Sequence, residues 1–314
     1  MQPAHAARTR HVGSPIVASL GELIALRSAA LRIDLESLRS SRAKALLAGP
    51  YHSPFRGRGI EFDEVRAYQP GDDARFIDWR VSARRGRVYT KLFHEERERP
   101  VLFLVDQGPT MRFGTRCCFK SVAAARAAAT LAWAARIGSD RVGGVIVSPQ
   151  GRIEHPAERR QRHLLRWLEA LSRASGEAGD TAIALSASIA RLDALAPSGS
   201  HAILLSDFYG LDAPARDAIA RLARRRHVSC VQIFDALEAE APPPGRYRVS
   251  DGTNIRALEA GNRATRERWG RQFEARRESL RQLCVEQRIP LLCLRNDQAI
   301  EDVLGARMTR RAHA

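Results

Sequence analysis

What is scarce in this sequence narrows the reading first. Lysine is nearly missing: of 51 basic residues only Lys44, Lys91 and Lys120 are lysines, and the rest are arginine. Cysteine is limited to Cys117, Cys118, Cys230, Cys284 and Cys293, an odd number with no Cys-x-x-Cys spacing. That pattern argues against a zinc site and for the reduced thiols of a cytoplasmic protein. Cys117-Cys118 reads as a helix start rather than a redox pair. No apolar run approaches the roughly 20 residues that cross a bilayer, so no membrane span is expected. Met1-Gln2-Pro3-Ala4-His5 leads into Arg8, Arg10 and His11 rather than an apolar core, so no secretory leader is expected. A Gly-x-x-x-x-Gly-Lys loop is missing, which excludes ATP binding through a P-loop. The Gly-x-Ser-x-Gly elbow of α/β hydrolases is missing too. His94-Glu95-Glu96 lacks the second histidine of a zinc-protease helix. The chain is therefore expected not to be an enzyme in its own right.

What is present suits a folded protein: 314 residues, 44% hydrophobic and 27% charged. The net charge of +16 raises nucleic-acid binding as a rival reading. The basic excess is spread along the chain without a basic tail, so nucleic acid is not the expected partner.

Four segments are expected. Residues 1–50 form an N-terminal helical segment, with the helix over 16–49 ended by Gly49-Pro50. Residues 51–99 form a small β-rich element, with strand-like runs at Ile60–Tyr68 and Arg87–Phe93 around the turn Gln69-Pro70-Gly71-Asp72. Residues 100–305 form an α/β domain, and 306–314 a tail. In the α/β domain, strands are expected at Val101–Val105, Val142–Val147, Arg152–Glu154, Ala202–Leu205, Val228–Phe234 and Leu291–Leu294. Helices are expected over 117–137, 157–174, 181–195, 212–226, 263–288 and 298–304. The charged 263–288 helix is read as a solvated face. Short apolar strands alternating with helices predict a doubly wound, mostly parallel sheet with helices on both faces.

Asp106 and Asp207 each follow an apolar strand directly. Ligands of open α/β sheets bind beyond the carboxyl ends of the strands, where the strand order reverses. With an order of 3-2-1-4-5-6 the first and fourth strands are neighbours and the two acids converge. Together with the Thr110 hydroxyl they would suit Mg²⁺ or Mn²⁺; alternatively, the acids cap helices or tie down loops. A metal-dependent hydrolase built on them would need a general base, and His201 lies at the wrong end of its strand.

Residues about 50–305 resemble the bacterial von Willebrand factor A-like proteins grouped as domain-of-unknown-function family fifty-eight. The resemblance rests on Gly57–Phe62, Val65–Asp73, Arg75–Trp79, Ser82-Ala83-Arg84, Lys91-Leu92-Phe93, Glu95-Glu96-Arg97, Asp140–Gly143 and Ser206-Asp207-Phe208. It implies a von Willebrand factor A-like fold with a metal-ion-dependent adhesion site that usually begins Asp-x-Ser-x-Ser. Here the stretch is Asp106-Gln107-Gly108-Pro109-Thr110, so Gly108 lacks the first hydroxyl while Thr110 replaces the second. Thr181 is the candidate for the further threonine, and Asp207 for the last acid. The resemblance also implies a non-catalytic adaptor that works with a MoxR-type AAA ATPase on a client protein, in assembly or maturation. Asp72, Asp73, Arg75, Asp78 and Trp79 are read as an acid–arginine network around a packed tryptophan anchor, or else as a partner-binding edge.

Overall fold

The computed structural model describes residues 13–33, 35, 38, 61–69, 74–94, 99–250 and 255–305. Its chain contacts divide it into Ala48–Glu98 and a larger unit made of Met1–Leu47 with Arg99–Ala314.

In the smaller unit, β1 (Glu61–Ala67) pairs antiparallel with β2 (Tyr89–His94). Between them lie a 3-10 turn, Ala74–Phe76, and a helix, Trp79–Arg85, that the β-rich reading did not anticipate. The helix starts at Asp78, whose carboxylate accepts from the backbone N–H of Arg80 and Val81, both at 3.0 Å. It stops at Gly86, whose φ of 65° is the left-handed conformation of a helix C-cap. Asp78 is thus a capping residue. Trp79, expected as a packed anchor, is 69% exposed, because the cap places it in the helix's first turn with its ring toward solvent. Arg75 is exposed on the 3-10 turn. Asp72 and Asp73 lie outside the described residues.

The larger unit is built on strands β3 (Pro100–Asp106), β4 (Arg141–Ser148), β5 (Gly151–Glu158), β6 (His201–Ser206), β7 (His227–Phe234) and, after a hairpin, β10 (Leu291–Arg295). They form one six-stranded mixed sheet in the order β10-β7-β6-β3-β4-β5, with only β4–β5 antiparallel. Counting the six in chain order, this is 3-2-1-4-5-6. The hairpin of β8 (Arg246–Ser250) and β9 (Ile255–Glu259) falls in a stretch to which no element was assigned.

Strand periodicity explains the two cores. Val101, Phe103 and Val105 of β3 point to one face, and Leu102 and Leu104 to the other. The first face is covered by α4 (Lys120–Ile137) and α5 (Gln161–Gly176), counting α1 as Leu20–Ala25, α2 as Arg27–Ala30 and α3 as Trp79–Arg85. Sixteen of the 18 residues of α4 are buried, and most are alanine. A helix apolar all round belongs inside, and alanine's small side chain lets neighbours approach closely on every face. One such neighbour is the N-terminal segment: the Trp133 indole N–H donates to Leu23 O at 3.0 Å, and Arg126 Nε to Glu22 Oε1 at 2.6 Å. These contacts pack α1 against α4 of the α/β unit. α5 presents Leu164, Trp167, Leu168 and Leu171, and the Trp167 ring lies 5.3 Å from that of Phe103. The other face is covered by α6 (Leu185–Leu195), α7 (Ala213–Arg225) and, after the short α8 (Ala236–Ala239), α9 (Arg263–Glu286). Leu280, Leu283 and Cys284 of α9 enter this core, so the end of that helix packs although much of it is solvated. A last helix follows over 300–305.

Gly144 on β4 has φ +149°, and a β-carbon there would fall 2.0 Å from Phe103 O. Only glycine allows the backbones of β3 and β4 this approach at the centre of the sheet.

Among the described residues no helix is long and apolar enough to cross a membrane.

Candidate functional site

The carboxyl ends of β3, β6, β7 and β10 carry one continuous polar network. Parallel pairing of β3 with β6 sets Val105 against Leu205, which brings Asp106 beside Ser206. Ser206 Oγ donates to Asp106 Oδ2 at 2.6 Å, and the Gly108 N–H donates to Oδ1 at 2.9 Å. Gly108, which lacks the hydroxyl that the resemblance calls for, supplies a backbone donor instead. A β-carbon there would lie 3.0 Å from the same carboxylate oxygen. Asp207 follows on β6. Its Oδ1 accepts from the Tyr209 N–H at 2.9 Å, and its Oδ2 from Lys120 Nζ at 2.8 Å.

Lys120 is the first residue of α4 and is 1% exposed. Its ammonium also donates to Glu238 Oε1 at 2.6 Å and stands 5.9 Å from the Phe113 ring centre. A cation at a helix N-terminus opposes the helix dipole, and a buried ammonium is costly unless paired. Both penalties are offset here by two carboxylates. Burial works against the Lys120 charge, but Asp207 and Glu238 outweigh it and hold its pKa above the ordinary lysine value.

Glu238 passes the network on. Its Oε2 accepts from the Asp235 N–H at 2.9 Å, the reciprocal half of a capping box that starts α8. The buried Asp235 carboxylate accepts from Thr115 Oγ1 (2.6 Å), Thr115 N (2.9 Å), Leu237 N (2.8 Å) and Asn296 Nδ2 (2.8 Å). Burial alone would raise its pKa, and these hydrogen bonds, led by Thr115, hold it below the ordinary value. Asn296 Nδ2 also donates to Cys118 O at 2.6 Å, and the Cys118 thiol to Asn296 O at 3.2 Å. Burial lifts that thiol to a pKa of about 12, so it is not a reactive group.

Asp106 is the strained member. Burial first, and then the charge of Asp207, raise its pKa to about 6, against smaller opposing effects of Ser206, Gly108 and Lys120. An acid with a raised folded-state pKa contributes stability that is complete below its unfolded pKa of 3.8 and is lost as pH rises through about 6. The expected result is a gain of about 1 kcal/mol from this group between pH 7.5 and pH 5. Urea denaturation of the wild type and Asp106→Asn at both values isolates it: the difference between the two proteins should change by that amount. Equal changes in both would show that Asp106 titrates normally.

Of the four residues singled out for a metal, the structure brings Asp106 and Asp207 together. Thr110 is exposed on the 3-10 turn Pro109–Met111, and Thr181 is exposed in the stretch before α6. Neither hydroxyl engages the two acids, which are held by Ser206, Gly108, Tyr209 and Lys120. Mg²⁺ and Mn²⁺ need a full shell of oxygen donors at about 2.0–2.2 Å. Here an ammonium of the protein already stands against Asp207 and Glu238, so the residues present do not fit the ion that the resemblance implies. Among the described residues no group of three or more His, Cys, Asp or Glu side chains is placed to hold a metal.

Sequence reasoning missed Lys120, Ser206, Asp235, Glu238, Thr115 and Asn296. Two signals were available. Asp235 ends an apolar strand just as Asp106 and Asp207 do, and Lys120 is one of only three lysines.

Two solved structures are similar to part of this chain. The conserved hypothetical protein BatB from Bacteroides thetaiotaomicron is 14% identical with a TM-score of 0.43, covering 68% of this chain and 98% of its own. An aerotolerance-related membrane protein from Bacteroides fragilis is 15% identical with a TM-score of 0.39, covering 67% and 98%. Uncharacterized proteins of Mycobacterium bovis and Mycobacterium tuberculosis are each 30% identical over 276 residues, 86% of this chain and 85% of theirs. The model of the family described as "Protein of unknown function DUF58" matches residues 64–279, and the chain belongs to that family.

Proposed function

We propose that this chain is a von Willebrand factor A-like, non-catalytic adaptor that docks a MoxR-type AAA ATPase and a client protein at the carboxyl edge of its sheet. What supports the reading is the rim of that edge. Tyr209, directly after the Asp207 turn, is 59% exposed, and the Arg276 guanidinium lies 4.8 Å over its ring. The pair borders a cleft shared with Asp207, Gln232, Phe234 and Glu238. Tyrosine and arginine are the residue types that most often carry binding energy at protein interfaces. Below them the network of paired charges keeps the surface in one shape, which favours recognition by lowering the ordering cost of binding. The ATPase supplies force, and this chain presents or recognises the client.

The test is affinity capture from a nuclease-treated lysate with Mg²⁺ and ATP present. Wild type is expected to retain a MoxR-type ATPase, and Tyr209→Ala combined with Arg276→Ala to retain at least ~10-fold less, as a loss of about 1.4 kcal/mol or more would produce. Equal retention would remove the rim from the interface. Capture of nucleic acid or ribosomal protein that disappears on nuclease treatment would instead favour the reading based on the +16 charge.

A further inference from the structure

We propose that Lys120 is a built-in cation that stands where the resemblance calls for a divalent metal, so that this crevice does not take Mg²⁺ or Mn²⁺. The strand order brings Asp106 and Asp207 to the one place in the sheet where a ligand crevice opens. A positive charge is needed there, because two carboxylates with Glu238 nearby repel one another in a buried setting. The first residue of α4 provides it from within the chain, 87 residues from Asp207 and 118 from Glu238.

Chemistry explains why a lysine does this in so arginine-rich a chain. An ammonium is a compact point charge with three donors on a flexible stem, whereas a guanidinium is a planar fork. Two carboxylate oxygens at 2.8 and 2.6 Å from one nitrogen match the former. The side-chain oxygen donors that the motif would supply are arranged otherwise: Thr110 and Thr181 are exposed, and Gly108 has no hydroxyl. An ammonium carries half the charge of Mg²⁺, which leaves the third carboxylate undercompensated.

The inference stands apart from the docking proposal, because metal binding is read on the isolated protein with no partner present. Mn²⁺ titration followed by electron paramagnetic resonance, and melting curves with Mg²⁺ against sodium chloride of equal ionic strength, are the measurements. Wild type is expected to bind no Mn²⁺ at this edge and to show no Mg²⁺-specific rise in Tm. In Lys120→Met the crevice loses its cation at nearly unchanged volume; because its oxygen donors are not placed for a metal, Mn²⁺ is expected to leave the lost Tm unrestored, whereas adding Asp207→Asn restores part of it. Stoichiometric Mn²⁺ on the wild type that disappears in Asp106→Asn would overturn the proposal. So would a folded Lys120→Met protein that melts at the wild-type temperature, since the crevice would then need no cation. If Lys120→Met does not fold, Mn²⁺-soaked crystals of the wild type decide: an anomalous peak between Asp106 and Asp207 refutes the idea, and its absence beside an intact Lys120 contact supports it.

Discussion

Replacing Lys120 by methionine is expected to lower the unfolding free energy by about 3–5 kcal/mol, the cost typical of breaking a buried ion pair from one side. The ammonium is 1% exposed, and its partners Asp207 and Glu238 are 6% and 18% exposed at the side chain, so water screens little of the lost attraction. Two effects run the other way. Methionine removes a cation from a helix N-terminus, which is worth about 0.3–1 kcal/mol, and it needs no pairing of its own. Neither approaches the cost of leaving Asp207 uncompensated beside Asp106, and the loss dominates. With a total stability of about 5–15 kcal/mol for a folded domain, such a loss is a large share. Urea denaturation at pH 7 reads it directly. Adding Asp207→Asn to Lys120→Met removes the stranded charge and should recover part of the deficit. A single-variant loss below about 1 kcal/mol would place the pair among the weak, solvent-screened ones.

Asp235→Ala is expected to cost about as much, ~3–5 kcal/mol, by another route. One buried carboxylate accepts four hydrogen bonds, from Thr115 twice, Leu237 and Asn296. Each buried donor left unsatisfied costs about 1–3 kcal/mol, and some of these donors will find water through the new void. The side chain joins three places distant in the chain: the loop before α4, the start of α8 and the end of β10. Its loss should therefore loosen the whole carboxyl edge, visible as faster amide exchange at Thr115 and Leu237 than at the sheet centre. The pH dependence has the opposite sign to that of Asp106. A carboxylate held below its ordinary pKa of 3.8 contributes stability that is present above that value and is lost as pH falls through the lower folded-state pKa. The wild type should thus lose the Asp235 contribution only in strong acid, and Asp235→Ala should have a flatter acid limb. Unchanged amide exchange at Thr115 would mean that the loop is held by other contacts.

Much of the α/β unit was legible without coordinates. Val101–Val105 and Ala202–Leu205 are short continuous apolar runs, and a strand buried on both faces needs nothing more than that in its local sequence. The Ala-rich stretch 117–137 read as a helix, and α4 covers most of it. Less legible was Trp79–Arg85, because it spans under two turns and its start depends on a single aspartate, Asp78. The hairpin Arg246–Glu259 was also missed, since each strand is only five residues long and the alternation Arg-Tyr-Arg-Val-Ser is too brief to stand out. In the site, two of the four expected residues came together, Asp106 and Asp207. Both were placed by a rule about strand ends, whereas Thr110, which keeps the motif's spacing, and Thr181 were placed by resemblance to a motif, and both are exposed.

The sequence by itself determined the six strands of the main sheet, most of the helices and the two acids at strand ends, because periodicity and apolar runs act between residues close in the chain. The tertiary structure alone decided what answers those acids. Lys120, Glu238, Thr115 and Asn296 reach the edge from elements separated by 60 to 180 residues, and no local pattern encodes such pairings. It likewise decided that the N-terminal helices belong to the α/β unit, through Glu22–Arg126 and Leu23–Trp133. The physical reason is the same in both cases: burial makes an unpaired charge or donor too costly to leave, and only packing brings its partner within reach.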